Sequence, residues 1–278
     1  MTDEKFLDKK MDRREFLKKA GIGGAGLALG LSGASAFFAN QDSSTKKALD
    51  GDEDISFFGK HQAGITTPMQ KACYLVVLDL HTTDKKEVIQ LFKDWTDYSS
   101  KLVEGELVKK DGSNDLLPPT DTGETVGLNP YRLSLTFGVS ADFLKKLGLE
   151  SKRPKLFRDL PPFPKEQLQD KYTGGDIVIQ ACADDEQVAF HAVRNLIRKG
   201  RNKITMKWSK SGFAAIGDRK ETPRNLFGFK DGTANVTTEK DFDKVVWTDS
   251  KDWMKGGSYM ALRLVLSLIH ISEPTRLA

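Results

Sequence analysis

Asp231 sits just before Gly232 and three residues after Gly228, inside Thr222-Pro223-Arg224-Asn225-Leu226-Phe227-Gly228-Phe229-Lys230-Asp231-Gly232-Thr233-Ala234-Asn235. Two glycines this close let the backbone turn tightly and approach a flat ligand at short range. Phe227 and Phe229 supply an apolar wall. A carboxylate beside such a wall is partly desolvated, which raises its pKa and suits it to shuttle a proton near neutral pH. Lys230-Asp231-Gly232 is equally a common turn tripeptide, in which Asp bonds local backbone. Taken alone, the tripeptide reads as a plain turn, and only its longer context favours a proton shuttle.

Two other segments have residue types suited to a ligand pocket. One is Gly59-Lys60-His61-Gln62-Ala63-Gly64-Ile65-Thr66-Thr67-Pro68, and the other is Gly256-Gly257-Ser258-Tyr259-Met260. His81 follows a strand and His191 lies on the polar side of a helix, so both are expected at the surface. Trp208, Trp247, Trp253 and Tyr259 are suited either to relaying electrons or to packing, and packing is the commoner use of such rings. Cys73 and Cys182 each fall in an apolar run. They read as two buried thiols, because a disulfide needs Cα atoms within about 7 Å, which sequence does not report. There is no CxxC and no Cys/His cluster at zinc spacing, so no structural metal is expected.

The elements that would position these residues follow from periodicity. Lys71–Leu80 is a continuous apolar run, read as a buried strand. Residues 84–98 carry Val88, Leu91, Phe92 and Trp95 at helical spacing after a Thr83 or Asp84 cap. Residues 101–129 read as a long loop. Tyr131–Val139 alternates as a strand, Ala141–Leu147 is a short helix, and the proline-rich Arg153–Gln169 is irregular. A second buried strand spans Asp176–Cys182, a helix Asp184–Lys199 and a further strand Ile204–Lys210. Strand, helix, strand, then strand, helix, strand is the split βαβ pattern. It predicts an α+β fold of the ferredoxin-like type, an antiparallel sheet with helices on one face.

The longer motif context resembles the dye-decolourising (DyP-type) peroxidase family, in its exported, iron-uptake-linked deferrochelatase/peroxidase branch. The likeness rests on Gly228-Phe229-Lys230-Asp231-Gly232, which matches the family's GxxDG signature. Arg224-Asn225-Leu226 stands before it and Thr233-Ala234-Asn235 behind it. His61-Gln62-Ala63-Gly64-Ile65 and Gly256–Met260 match in the same order, so the resemblance covers about residues 55–264. It implies tandem ferredoxin-like domains with haem b (heme b) held mainly by the second. Asp231 would be the catalytic acid/base, taking a proton from hydrogen peroxide and returning it to the leaving oxygen. Arg224, Asn225, Gly228, Phe229, Gly232, Thr233 and Ala234 would line the cofactor. His61 is tempting as an iron ligand, but in the family that segment is not the ligand source, and a structural or pocket-edge role is expected. The implied function is a haem-dependent peroxidase that oxidises an organic donor, linked to iron uptake. The alternatives are a deferrochelatase that releases iron from haem and leaves the porphyrin intact, or a non-catalytic exported haem- or iron-binding protein. A bare interaction module that never takes up haem is a further reading.

The family's proximal His and distal Arg lie well downstream of GxxDG, so no metal ligand is expected in this chain. His270 lies in a closing run, 265–278, that looks foreign to the family. The expected organisation is a signal at 1–40, a linker at 41–60, a first ferredoxin-like domain at 61–212, and the start of a second at 213–264 with a strand at Ser258–Leu266. The expectation that follows is poor haem binding and little peroxidase activity for the chain as it stands.

The signal is read from Arg13-Arg14, followed by Phe16, Leu17 and Lys18, ahead of a glycine-rich apolar run from Ala20 to Phe38 and the small-residue site Ala34-Ser35-Ala36. This resembles a twin-arginine export signal, which makes the twin-arginine translocase a partner. A membrane anchor is the competing reading of the run. The protein is then expected in the periplasm, at the cell surface or outside the cell. Iron-uptake membrane proteins are candidate partners, and a homo-oligomer is compatible with the sequence. Net charge is only +4, with 43 basic against 39 acidic residues and no basic stripe, so nucleic acid is excluded as a partner.

Overall fold

The structure is a computed structural model in which residues 55–109, 119–214, 222 and 224–265 are described. The twin-arginine segment, the apolar run 20–38, the closing run with His270, and Pro223 lie outside them. Among the described residues no helix is long and apolar enough to cross a membrane.

Strand β1 is Ala72–Leu80, helix α1 Lys85–Val103, β2 Ser134–Val139, α2 Ala141–Lys146, β3 Ile177–Ala183, α3 Glu186–Gly200, β4 Ile204–Phe213 and α4 Glu239–Val245. The four strands form one sheet in the order β2-β3-β1-β4, with every neighbour antiparallel. This is the split βαβ arrangement predicted above, with β2 and β4 as the edges.

Each helix starts where a short polar side chain satisfies free backbone amides. Asp84 accepts from the Lys86 amide, Ser140 from Phe143, Asp185 from Gln187 and Val188, and Thr238 from Asp241. Such caps each contribute about 1 kcal/mol. The apolar stripes of α1 and α3 lie on the sheet face that carries Val76, Leu78, Ile179 and Ala181, and bury one continuous core. Trp95 lies at its centre, 1% exposed, and donates its indole N–H to the Leu196 carbonyl at 2.8 Å. That bond ties α1 to α3 and satisfies the buried indole N–H.

The opposite face holds a smaller cluster of Leu75, Val77 and Trp208, with Cys73, Val178 and Tyr172 against it. Residues 61–70 run across part of this face. Beyond β4, the described residues contain α4, turns and one isolated bridge between Arg224 and Lys230. The strand expected from Ser258 is not formed in 258–265, because no neighbouring edge among the described residues pairs with it.

Candidate functional site

The segment around His61 is fixed to the sheet by side chains that imitate a strand partner. Gln62 uses both ends of its amide on the edge residue Phe137, accepting from its N–H at 2.9 Å and donating to its carbonyl at 3.0 Å. Thr136 donates to the Ala63 carbonyl at 2.6 Å, and Gln180 to the Gly64 carbonyl at 3.1 Å. Gly64 has φ +89°, and a Cβ there would come within 2.2 Å of the Thr136 hydroxyl. Glycine at this point of the motif is thus a packing requirement.

His61 itself is bound to the chain far downstream. Its Nδ1 lies 2.7 Å from the Gly256 carbonyl, which only accepts, so Nδ1 carries the hydrogen. Its ring stacks on Trp247 with centroids 3.8 Å apart and planes 9° from parallel. The first and third motifs of the sequence therefore meet, and the His61 ring is committed to packing there. Gly256 and Thr248 are held by a pair of backbone bonds, Gly256 N–H to the Thr248 carbonyl and Thr248 N–H to the Gly257 carbonyl, both 2.8 Å. Downstream, Trp253 donates to the Lys152 carbonyl at 2.8 Å, and Tyr259 packs on Phe157. Arg263 pairs with Glu166 and lies 4.1 Å over the Phe163 ring. Residues 246–263 are thus a strap held to His61 and to residues 152–166.

The GxxDG loop is organised by Asn225. Its side-chain oxygen accepts from the Phe227 and Phe229 amides at 3.0 and 3.2 Å, and its nitrogen lies 3.4 Å from an Asp231 carboxylate oxygen. Arg224 donates to the Gly228 carbonyl at 2.7 Å. Gly228 and Gly232 take φ values of +84° and +99°, which side chains rarely adopt. The carboxylate of Asp231 is exposed, as are Thr233 and Ala234. Phe227 and Phe229 are also exposed, at 44% and 70%. The desolvating wall expected around Asp231 is therefore not formed among the described residues: both rings lie in solvent on a turn with no element packed over it. Sequence reasoning fixed the ring positions in the chain, but a wall also needs a second surface.

The second correction concerns His191. It is buried at 1% exposure, not on the surface. The loop at 119–129 folds over α3 and covers it. His191 Nδ1 lies 2.7 Å from Glu124 and Nε2 3.5 Å from Asp121, with Asn195 one helical turn away against the ring. Burial alone would raise the Glu124 pKa. Hydrogen bonds from Thr122, His191 and its own backbone, with the charge of Arg194, overcome this and hold it at about 2. The i, i+4 pair His191 and Asn195 on one helix stripe, with Asp121 and Glu124 in a loop, was the available signal. His81, by contrast, is exposed and bonds Thr205, as expected of a surface residue.

The exposed Asp231 loop, with its two left-handed glycines and free aromatic faces, fits one side of a flat macrocycle such as haem. Among the described residues His61 and His191 are committed as above, and His81 bonds Thr205.

Comparison with known proteins gives the same direction. A family model described as Dyp-type peroxidase, N-terminal, matches residues 62–214, and one described as Dyp-type peroxidase, C-terminal, matches 222–277. The second match runs through residues 265–277, which the sequence reading expected to be foreign to the family. Deferrochelatase of Escherichia coli O157:H7 is 35% identical over 277 residues, 95% of this chain and 65% of that protein. Deferrochelatase of Escherichia coli strain K12 is 35% identical over 237 residues, 81% of this chain and 56% of that protein. Among solved structures, a DyP-type peroxidase from Streptomyces coelicolor aligns with TM-score 0.66 and 36% identity, over 74% of this chain and 55% of that one. One from Cellulomonas bogoriensis aligns with TM-score 0.64 and 31% identity, over 74% and 56%. The chain thus spans 56 to 65% of the length of the two curated relatives.

Proposed function

This chain belongs to the Dyp-type peroxidase family, and from that membership we propose that the whole protein is a haem-dependent peroxidase which reduces hydrogen peroxide and oxidises an organic donor. The observation that carries the reading is the Asp231 loop: a carboxylate held by an asparagine-built turn, open on one side, with glycines where a flat group would approach. Bound haem b would supply redox chemistry, taking up the two oxidising equivalents of hydrogen peroxide and passing them to the donor. Asp231 would take a proton from hydrogen peroxide and return it to the leaving oxygen. Gly228 and Gly232 would let the backbone lie close to the macrocycle, with Phe229, Thr233 and Ala234 along its edge. Arg224 and Asn225 would keep the turn in shape.

A second reading is favoured by the names of the curated relatives, which are deferrochelatases. In it, the same pocket releases iron from haem and leaves the ring whole. Export by the twin-arginine route, with action outside the cytoplasm beside iron-uptake membrane proteins, belongs to either reading and rests on the Arg13-Arg14 signal.

The test is Asp231→Asn in the full-length, haem-loaded protein. Haem uptake should persist, while the rate of reaction with peroxide falls by about 10²- to 10⁴-fold. Unchanged peroxide kinetics would overturn the assignment. Recovery of free iron with metal-free porphyrin, and no oxidised donor, would select the second reading.

A further inference from the structure

We propose that Cys73 and Cys182 are an oxidation site, closing into a reversible disulfide across strands β1 and β3. The strand register places the two residues directly opposite each other. Side chains opposite one another in an antiparallel pair share a face, here the one that also carries Leu75, Val77 and Trp208. Residues so paired have Cα atoms about 4.5–5.5 Å apart, inside the roughly 4.4–6.8 Å that a disulfide spans. Their Cβ atoms, at about 4.5–5.5 Å, need only a small approach to reach bonding geometry. Both thiols are free and half-buried. The β4 residue beside Cys73 is Gly212, and a Cβ there would meet nothing within 4 Å. A small oxidant therefore has a lane to the Cys73 sulfur along the sheet.

The two sulfurs are not equivalent. A hydrogen bond from Cys182 lowers the Cys73 pKa against the opposing effect of burial, and the same contact raises that of Cys182. Cys73, the more readily ionised of the two and the one beside the open Gly212 lane, is assigned the attack, and Cys182 resolves. The Cys73 thiolate attacks one oxygen of hydrogen peroxide. The O–O bond breaks, the second oxygen leaves as hydroxide and takes up a proton, and Cys73 becomes a sulfenic acid. The Cys182 sulfur, giving up its proton, then attacks the Cys73 sulfur. The S–S bond forms, the S–O bond breaks and a second water leaves. Two thiols have supplied two electrons to one peroxide, and a dithiol reductant returns them. The choice of peroxide as oxidant rests on the proposed function, whereas the bridge itself does not.

The full-length protein, alkylated and digested without reductant, reads the outcome directly. After treatment with hydrogen peroxide, or separately with the thiol oxidant diamide, the peptides containing Cys73 and Cys182 should be covalently linked. Dithiothreitol should separate them. Cys182→Ser should leave Cys73 as a sulfenic acid that dimedone captures. Cys73→Ser should slow oxidation of the remaining thiol by about tenfold or more. Full alkylation of both thiols after both oxidants would overturn the bridge. Linkage by diamide but none by peroxide would overturn the peroxide step alone.

Discussion

The amide of Asn225 holds the loop around Asp231 from both ends, with its oxygen on two backbone N–H groups and its nitrogen facing the carboxylate. Removing it takes away two bonds worth about 1 kcal/mol each at most, at an exposed site. The loop should lose its shape before the protein loses its fold. In the full-length, haem-loaded protein, Asn225→Ala is expected to lower kcat for peroxide reduction by roughly tenfold, with KM for the donor changed by less than about twofold. Asn225→Ser, whose hydroxyl makes a weaker version of the same turn, should recover part of the loss. Equal loss in both variants, or a change confined to KM, would assign Asn225 to substrate contact instead. Gly64 makes a contrasting case. Its φ of +89° and the 2.2 Å approach of an added Cβ to Thr136 predict that Gly64→Ala destabilises the fold by about 1–3 kcal/mol, read from the urea midpoint.

At the scale of elements, the loop 119–129 is secured to α3 by ionised Glu124. The sign of its pH effect follows from the two pKa values. The group titrates near 4.5 when unperturbed and at about 2 in the fold. The stability it lends is complete above about 4.5 and fades as pH falls towards 2. Urea midpoints of the native protein and Glu124→Gln should therefore differ most above pH 4.5 and converge near pH 2. A difference that widens on acidification would contradict the assignment. This region also marks where sequence stops being informative. The strands β1 and β3 announce themselves as apolar runs, and α1 and α3 as apolar stripes, because local periodicity dictates them. The start of α1 was legible to within a residue, with Thr83 and Asp84 both open as the cap and Asp84 filling it, while its end at Val103 lies five residues beyond the stripe read to Tyr98. His191 was not, because its burial comes from a loop more than sixty residues earlier in the chain, folding onto a helix face that looks polar from its own neighbours. The Asp231 motif was legible as a turn with glycines, while the solvent exposure of its rings was not, since that depends on what packs over the loop. The register that opposes Cys73 to Cys182 is likewise a tertiary property of two strands far apart in sequence.

Across the whole molecule, burial divides the described residues into two tiers. Every buried residue lies in the sheet, its helices or the segments laid against them, from Gln70 to Trp208. None of the described residues from 222 to 265 is buried. What holds that stretch is a few contacts: His61 on Trp247, Trp253 on Lys152, Tyr259 on Phe157 and Arg263 on Glu166. Local opening costs little where few apolar contacts are lost, so these residues should open without the sheet. Hydrogen exchange is expected to be slowest in β1 and β3, and at least about 10²-fold faster across residues 224–245. Trp247→Ala removes the stacking partner of His61 and should speed exchange in 246–257 while leaving β1 unchanged. If β1 loosened by the same factor, the strap would be part of one cooperative unit with the sheet. If neither changed, the His61–Trp247 stack would not be what holds the strap down.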